Sequence, residues 1–234
     1  MSAPGARPDS ALANAGVRFV KMHGLGNDFV VIDRRYQSFA ADTDQIRAMA
    51  DRHTGIGFDQ LLLLDPPRQG GDVAYGIYNA DGLAAEQCGN GLRCVALLFY
   101  ETSAGRRREM AVESPSGTVR ARIRDDGLVT VEMGVPDFRP AALPFEATEQ
   151  ALVYTIEAAG RSVEIGAVSM GNPHAVIRVA AAASAPVTEL GAVIEHHPAF
   201  PKGVNVGFME IVDRSHIVLR VHERGCGETR ACGT

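Results

Sequence analysis

The 234-residue sequence contains no Trp, and aromatic residues make up only 6% of it. Four Cys are too few to staple a chain of this length. No apolar run approaches the roughly 18 residues needed to cross a bilayer as a helix, and the opening MSAPGARPDSALANAG lacks the apolar core of a secretion signal. Basic character is missing too. Lys and Arg number 23 against 28 Asp and Glu, a formal charge of −5, which argues against a nucleic-acid binder. Together these absences point to a cytoplasmic protein with reduced thiols and with neither membrane nor nucleic acid as partner. What is present is 46% apolar residues punctuated by 25 Gly and 12 Pro, the mixture of a turn-rich α/β fold rather than a helical bundle.

Residues 1–16 read as a disordered tail, because they offer little apolar surface to offset chain entropy. From Val17, short apolar runs predict strands at Phe29 to Ile32, Leu61 to Leu64, Val73 to Tyr78, Val119 to Ile123 and Val129 to Met133. Further strands are expected at Val153 to Ala158, Val163 to Val168, Ala175 to Val179, Val204 to Val212 and Ile217 to Val221. One helix is expected from an N-cap at Thr43 to about Arg52, and a second, apolar on nearly every face and hence buried, over Gly91 to Thr102. Val135 to Pro144 reads as a linker, and Ala180 to Ala185 as a helix end or loop.

The sequence also repeats itself. GND-FVVI at Gly26 returns as GNP-HAVI at Gly171, GFDQL at Gly57 as GFMEI at Gly207, and Cys88-Gly89 as Cys232-Gly233. The offsets are 145, 150 and 144 residues, in one order. Two similar halves facing each other across a cleft are the expected arrangement, an N-terminal one at 17–134 and a C-terminal one at 135–234. The helix and strands that follow Cys88 have no counterpart after Cys232, so the second half is expected to continue beyond Thr234 in a longer parent molecule.

Two thiols in equivalent places suggest proton transfer from both sides. A racemase or epimerase working without a cofactor needs one base on each face of a stereocentre, and Cys compromises between basicity and availability. Cys88 precedes Gly89-Asn90-Gly91 and the apolar helix. The helix dipole and free N–H groups there are expected to lower its pKa towards neutrality, and to hold a substrate carboxylate. Asn27, Gln60, Asn79, Asn90, Asn172 and Asn205 stand near turn glycines; gathered in one cleft with Glu223 and Arg224, they would suit a zwitterionic ligand. His174 reads equally as a satisfied polar residue or as a tuner of thiol pKa. Cys94 and Cys226 read as structural, the five-residue gaps within each Cys pair being too wide for a usual zinc site. KMHGLGNDF lacks the last glycine of a dinucleotide fingerprint and reads as a turn presenting Asn27. Arg34-Arg35 and Arg106 to Arg108 read as solvated loops.

The segments FVKMHGLGNDFVVID, GIGFDQLLLL, YNADGLAAEQCGNGLRC, GNPHAVI, GVNVGFMEI and HERGCGETRACGT resemble, in order, those of the diaminopimelate epimerase family. The resemblance implies two pseudo-symmetric subdomains, each a curved, mostly antiparallel sheet around a central helix, with the active site in the cleft between them. It also implies cofactor-independent interconversion of LL- and meso-2,6-diaminopimelate by a homodimer, on the way to lysine and peptidoglycan. Cys88 and Cys232 would be the acid and base, with Gly89, Asn90, Gly233 and Thr234 around the carboxylate at the reacting centre. Asn27, Gln60, Asn79, Asn172, Asn205, Glu223 and Arg224 would contact substrate, Arg224 at its distal carboxylate. His174 and Glu223 would tune the thiols. Past CGT the family continues with a second central helix and further strands, so a 234-residue chain is expected to fold poorly or work weakly without them. The competing readings are a proline or hydroxyproline racemase-like isomerase, a phenazine-biosynthesis-type isomerase, a thiol redox or metal-binding protein, and a non-catalytic amino-acid-binding module.

Overall fold

A computed structural model describes residues 16–233. The tail expected at 1–16 thus falls, except for Gly16, outside the described residues, as does Thr234. Seven strands form the first sheet side by side in chain order: β1 (Val20–Gly24), β2 (Asn27–Asp33), β3 (Gln60–Asp65), β4 (Val73–Asn79), β5 (Glu109–Ser114), β6 (Gly117–Ile123) and β7 (Val129–Val131). The second sheet runs β13 (Gly227–Thr229), β12 (Ile217–Glu223), β11 (Asn205–Ile211), β10 (Pro173–Arg178), β9 (Arg161–Ser169), β8 (Tyr154–Ala158). Neighbours are antiparallel except for β2–β3, β4–β5 and β10–β11. Three α-helices accompany them: α1 (Thr43–Ala50), α2 (Gly89–Thr102) and α3 (Val187–Glu195). The fold is therefore α+β, two curved and mostly antiparallel sheets with few helices.

The first sheet wraps around α2, which packs against both edge strands, β1 and β7, as well as β2, β3, β5 and β6. That explains a helix apolar on so many faces. Leu92, Val95 and Ala96 are fully buried among Phe29, Val31, Leu62, Leu64, Val73 and Val112, and each large side chain contributes about 1.5–3 kcal/mol on leaving water. The opposite face of the same sheet carries α1, whose Ile46 and Ala50 cover Val30, Ile32, Leu61 and Leu63. The N-cap of α1 is Asp42, not Thr43: the Asp42 carboxylate accepts from the Gln45 N–H at 2.8 Å, and Gln45 Oε1 accepts from the Asp42 N–H at 3.0 Å. A carboxylate one residue earlier closes both halves of this capping box, which a Thr hydroxyl at N1 does not.

The halves repeat in strand direction. β1–β2 antiparallel, β2–β3 parallel and β3–β4 antiparallel match β9–β10, β10–β11 and β11–β12. α1 bridges the parallel pair in the first half, α3 in the second. Phe29 is opposite Gln60 and His174 opposite Asn205, an offset of 145 residues at both positions. The same offset carries Val30, Ile32, Leu61 and Leu63 onto Ala175, Ile177, Val206 and Phe208, the residues that pack with Val187, Leu190 and Ile194 of α3. The second landmark of the sequence repeat does not survive, because Gly57 precedes β3 whereas Gly207 lies within β11. Gln60 and Asn205 are the true counterparts.

Among the described residues the second sheet has no helix corresponding to α2, since α3 takes the place of α1. Ile217 and Leu219, on that uncovered face, are 52% and 42% exposed. The segment read as a linker is anchored: Asp137 bridges to Ser169, and Leu143 and Phe145 enter the second core. Arg35 is likewise no solvated loop residue. It pairs with Asp33 and lies over the rings of Tyr36 and Phe99. No described helix is long and apolar enough to cross a membrane.

Candidate active site

Cys88 is the N-cap of α2, in extended backbone, and its Sγ accepts from the Gly91 N–H at 3.4 Å. The chain reaches it through a loop after β4. Cys88 is 6% exposed, and it lies 3.7 Å from Asn27 Oδ1, which the tight Leu25-Gly26 turn delivers to the start of β2. That turn joins β1 to β2 with positive φ at both residues, the geometry of a type I′ hairpin, so KMHGLGNDF does present Asn27 as a turn.

The second Cys segment comes from the far end of the chain, just past β13, and meets the first head on. A Cβ on Gly89 would lie 2.3 Å from the Gly233 carbonyl oxygen, and one on Gly233 would lie 2.7 Å from the Asn90 nitrogen. Only paired glycines allow the two backbones this approach. Asn90 Nδ2 ties them together, donating to the Ala231 carbonyl at 2.7 Å and to Asn27 Oδ1 at 3.3 Å. None of the four cysteines is in a disulfide.

Electrostatics correct one expectation. Burial pushes the Cys88 thiol well above its ordinary pKa, with the nearby carboxylate of Glu223 and the Cys232 thiol adding to the rise. The Gly91 and Asn90 N–H groups pull the other way and do not prevail. Desolvation of a thiolate outweighs two backbone donors at a helix end. Glu223 is itself lifted to about 7 by burial, although Thr229 Oγ1 donates to it at 2.8 Å.

The polar residues gather further along the seam between the halves. Gln60 Nε2 donates to Asn79 Oδ1 at 2.9 Å, and Asn79 Nδ2 crosses to the Arg224 carbonyl at 2.9 Å. Asn205 Oδ1 accepts from the Arg224 N–H at 3.0 Å, while its Nδ2 donates to the Pro173 carbonyl at 2.9 Å. Asn172 Oδ1 is 3.0 Å from His174 Nε2, and Asn172 Nδ2 donates to the Gln87 carbonyl at 3.3 Å. Burial, helped by Arg224, lowers the pKa of His174 to about 4 and keeps the ring neutral. Asn27, Asn90, Cys88, Cys232, Gly89 and Gly233 thus form one end of the site. Gln60, Asn79, Asn205 and Arg224 form the other.

Glu223 and Arg224 are not a charge pair with each other. Arg224 Nη2 pairs across the seam with Glu86 instead. Cys226, read as structural, donates its thiol to the Asp59 carbonyl at 3.4 Å and to Asn79 Oδ1 at 3.7 Å, and burial pushes its pKa well up, so it stays a protonated thiol. Cys94, on α2 itself, is buried in the first apolar core, as its helical position indicated. Glu195 escaped sequence reasoning: its carboxylate holds His222 Nε2 and the Gly225 N–H, each at 2.8 Å, and so braces the turn bearing Glu223 and Arg224 from behind. A lone Glu at the end of a short helix carries no signal of that.

The family model for diaminopimelate epimerase matches residues 19–139 and 166–234. The diaminopimelate epimerase of Stutzerimonas stutzeri is 52% identical over 219 residues, covering 93% of this chain and 79% of that protein. That of Nitrosomonas europaea is 53% identical over 218 residues, with the same two shares. A solved hydroxyproline epimerase from Agrobacterium vitis superposes with a TM-score of 0.67 at 20% identity, over 92% of this chain and 72% of that one, a likeness of fold.

Proposed function

The chain belongs to the diaminopimelate epimerase family, and from that membership we propose that it inverts one α-carbon of LL-2,6-diaminopimelate to give the meso form, and back, with Cys88 and Cys232 as acid and base. It is an isomerase acting on a small-molecule amino acid, in a step towards lysine. The carrying observation is the contact of the Gly89 and Gly233 backbones, which brings the two Cys segments to one place from opposite halves. A thiolate on one face takes the α-proton and becomes a thiol. The thiol on the other face gives its proton to the carbanion and becomes the thiolate, and the reverse inversion swaps the roles. No cofactor enters this scheme.

Stabilisation of the carbanion would fall to the positive end of α2, with Gly89, Asn90 and Gly233 around the carboxylate at the reacting centre, and Thr234 as the family resemblance implies. Thr234 lies outside the described residues. Because burial holds Cys88 protonated, the substrate ammonium, a positive charge entering beside the thiol, is what draws its pKa down. Asn27, Gln60, Asn79, Asn172, Asn205 and Glu223 bind the polar ends of the substrate, and Arg224 its distal carboxylate. Glu223 and the neutral His174 tune the thiols. The two ends of this set suit an elongated dicarboxylate better than proline. Residues 17–134 and 135–234 would act as the two subdomains, in a cytoplasmic homodimer, as the resemblance implies.

The test is incubation with LL-diaminopimelate in D₂O under reductant, following the α-proton by NMR. Solvent deuterium should enter with the unaltered chain and not with Cys88→Ser or Cys232→Ser. Exchange persisting at an unchanged rate in either variant would refute the two-thiol scheme.

A further inference from the structure

Arg224 is the proposed anchor of the substrate's distal carboxylate, and the role assigned to its present partner rests on that reading. In the structure its guanidinium already holds a carboxylate: Nη2 donates to Glu86 Oε2, while Nη1 donates to the Lys202 carbonyl at 2.9 Å. The two side chains differ in exposure, 16% for Arg224 and 43% for Glu86. We propose that Glu86 is a built-in stand-in for the distal carboxylate, displaced when substrate binds, and so a residue that sets the affinity of this site for that carboxylate.

A guanidinium so far removed from water is costly without an anion, and Glu86 supplies one. Its own exposure lets the Glu86 side chain swing back into solvent, leaving Arg224 to the incoming ligand. One carboxylate then replaces another and the charge on the site is conserved. The backbone need not move. The Ser116 hydroxyl lies 2.9 Å from the Glu86 carbonyl and 3.0 Å from that of Gly171, and the Gln87 carbonyl accepts from Asn172, so the loop is fixed to the second half while the side chain is not. Such an exchange lowers the affinity for a distal carboxylate without abolishing it. A ligand with a distal carboxylate recovers the ion pair it breaks, whereas one that lacks it leaves Glu86 in place and gains nothing from Arg224.

If Glu86 instead stays on Arg224 and steadies it, removing the charge weakens binding. Displacement predicts the reverse, and that sign separates the two. LL-diaminopimelate and L-lysine, the same chain without the distal carboxylate, would be titrated calorimetrically into protein made non-turning by Cys88→Ser, with and without Glu86→Gln. Diaminopimelate should bind about fivefold tighter to the Glu86→Gln chain, the order of a partly exposed ion pair, and lysine should bind no tighter. The gain should vanish on an Arg224→Ala background. Unchanged or weaker diaminopimelate binding, or an equal gain for lysine, overturns the proposal. A misfolded variant loses affinity and so cannot mimic the expected result, and Glu86→Ala should move affinity in the same direction. Absence of α-proton exchange both in the unaltered chain and in one extended past Thr234 sinks the epimerase reading on its own, while the titration still reads Glu86. A chain that exchanges but whose Glu86→Gln form binds no tighter sinks only the stand-in.

Discussion

Replacing Gly89 with Ala puts a methyl group where the structure has another stretch of backbone. The new Cβ would lie 2.3 Å from the Gly233 oxygen and 2.9 Å from its carbonyl carbon, against roughly 3.5 Å for atoms at rest. Neither atom can swing aside, so the two Cys segments must part by roughly 1 Å. Within α2 the change is benign. Gly89 lies outside the left-handed region, and Ala forms helix better than Gly by up to about 1 kcal/mol. Overpacking of about 1–3 kcal/mol opposes that gain, so Tm should fall by at most about 10 °C. Parting the reacting groups by that distance, in contrast, costs on the order of 100-fold in rate. The assay is α-proton exchange at saturating substrate beside a thermal melt. An exchange rate within about threefold of the unaltered chain would refute the premise that the two segments work in contact.

Three further outcomes are expected. His174, held neutral with a pKa of about 4 against an ordinary 6.5, costs native stability as pH falls from about 6.5 to about 4, up to about 3 kcal/mol; His174→Gln should flatten the urea-denaturation midpoint across that window, and an unchanged slope would count against it. Removing the carboxylate charge beside Cys88 by Glu223→Gln should lower the thiol pKa and speed its alkylation by iodoacetamide at fixed pH; equal or slower labelling would contradict the assignment. Asp42→Ala opens the capping box of α1 and should cost about 1 kcal/mol, a Tm drop of about 2–4 °C, with exchange activity retained.

Much of the architecture was legible in the sequence because burial leaves a pattern. β2, β3, β4 and β11 read directly from their apolar runs, and α2 from being apolar all round. β1 and β5 were not read: VKMHG lies largely exposed at an edge and EMAVES follows directly on Arg106 to Arg108, so neither alternates cleanly. α3 was masked by the Ala- and Pro-rich stretch before it and by Gly191 within it. At the site, positions were legible and energies were not. The chain order of Cys88, Cys232 and the amides pointed to one cleft, but the direction of the Cys88 shift depends on how much protein closes over it. The Glu86–Arg224 contact spans 138 residues and has no local signature.

The repeat of strand direction carries a consequence for stereochemistry. The two faces of a carbon centre are mirror images, and a protein made of chiral residues cannot be a mirror of itself. What it can do is present the same tool twice, turned about an axis, and under the proposed two-thiol scheme Cys88-Gly89 and Cys232-Gly233 would be such a tool. Where the halves agree, at Asn27 with Asn172 and Gln60 with Asn205, the proposed site would be indifferent to which face it meets. Where they differ, at Asn79 with Glu223, the proposed site would tell one end of a nearly symmetric ligand from the other. On that reading the likeness of the halves would erase handedness, and their differences would write direction along the ligand.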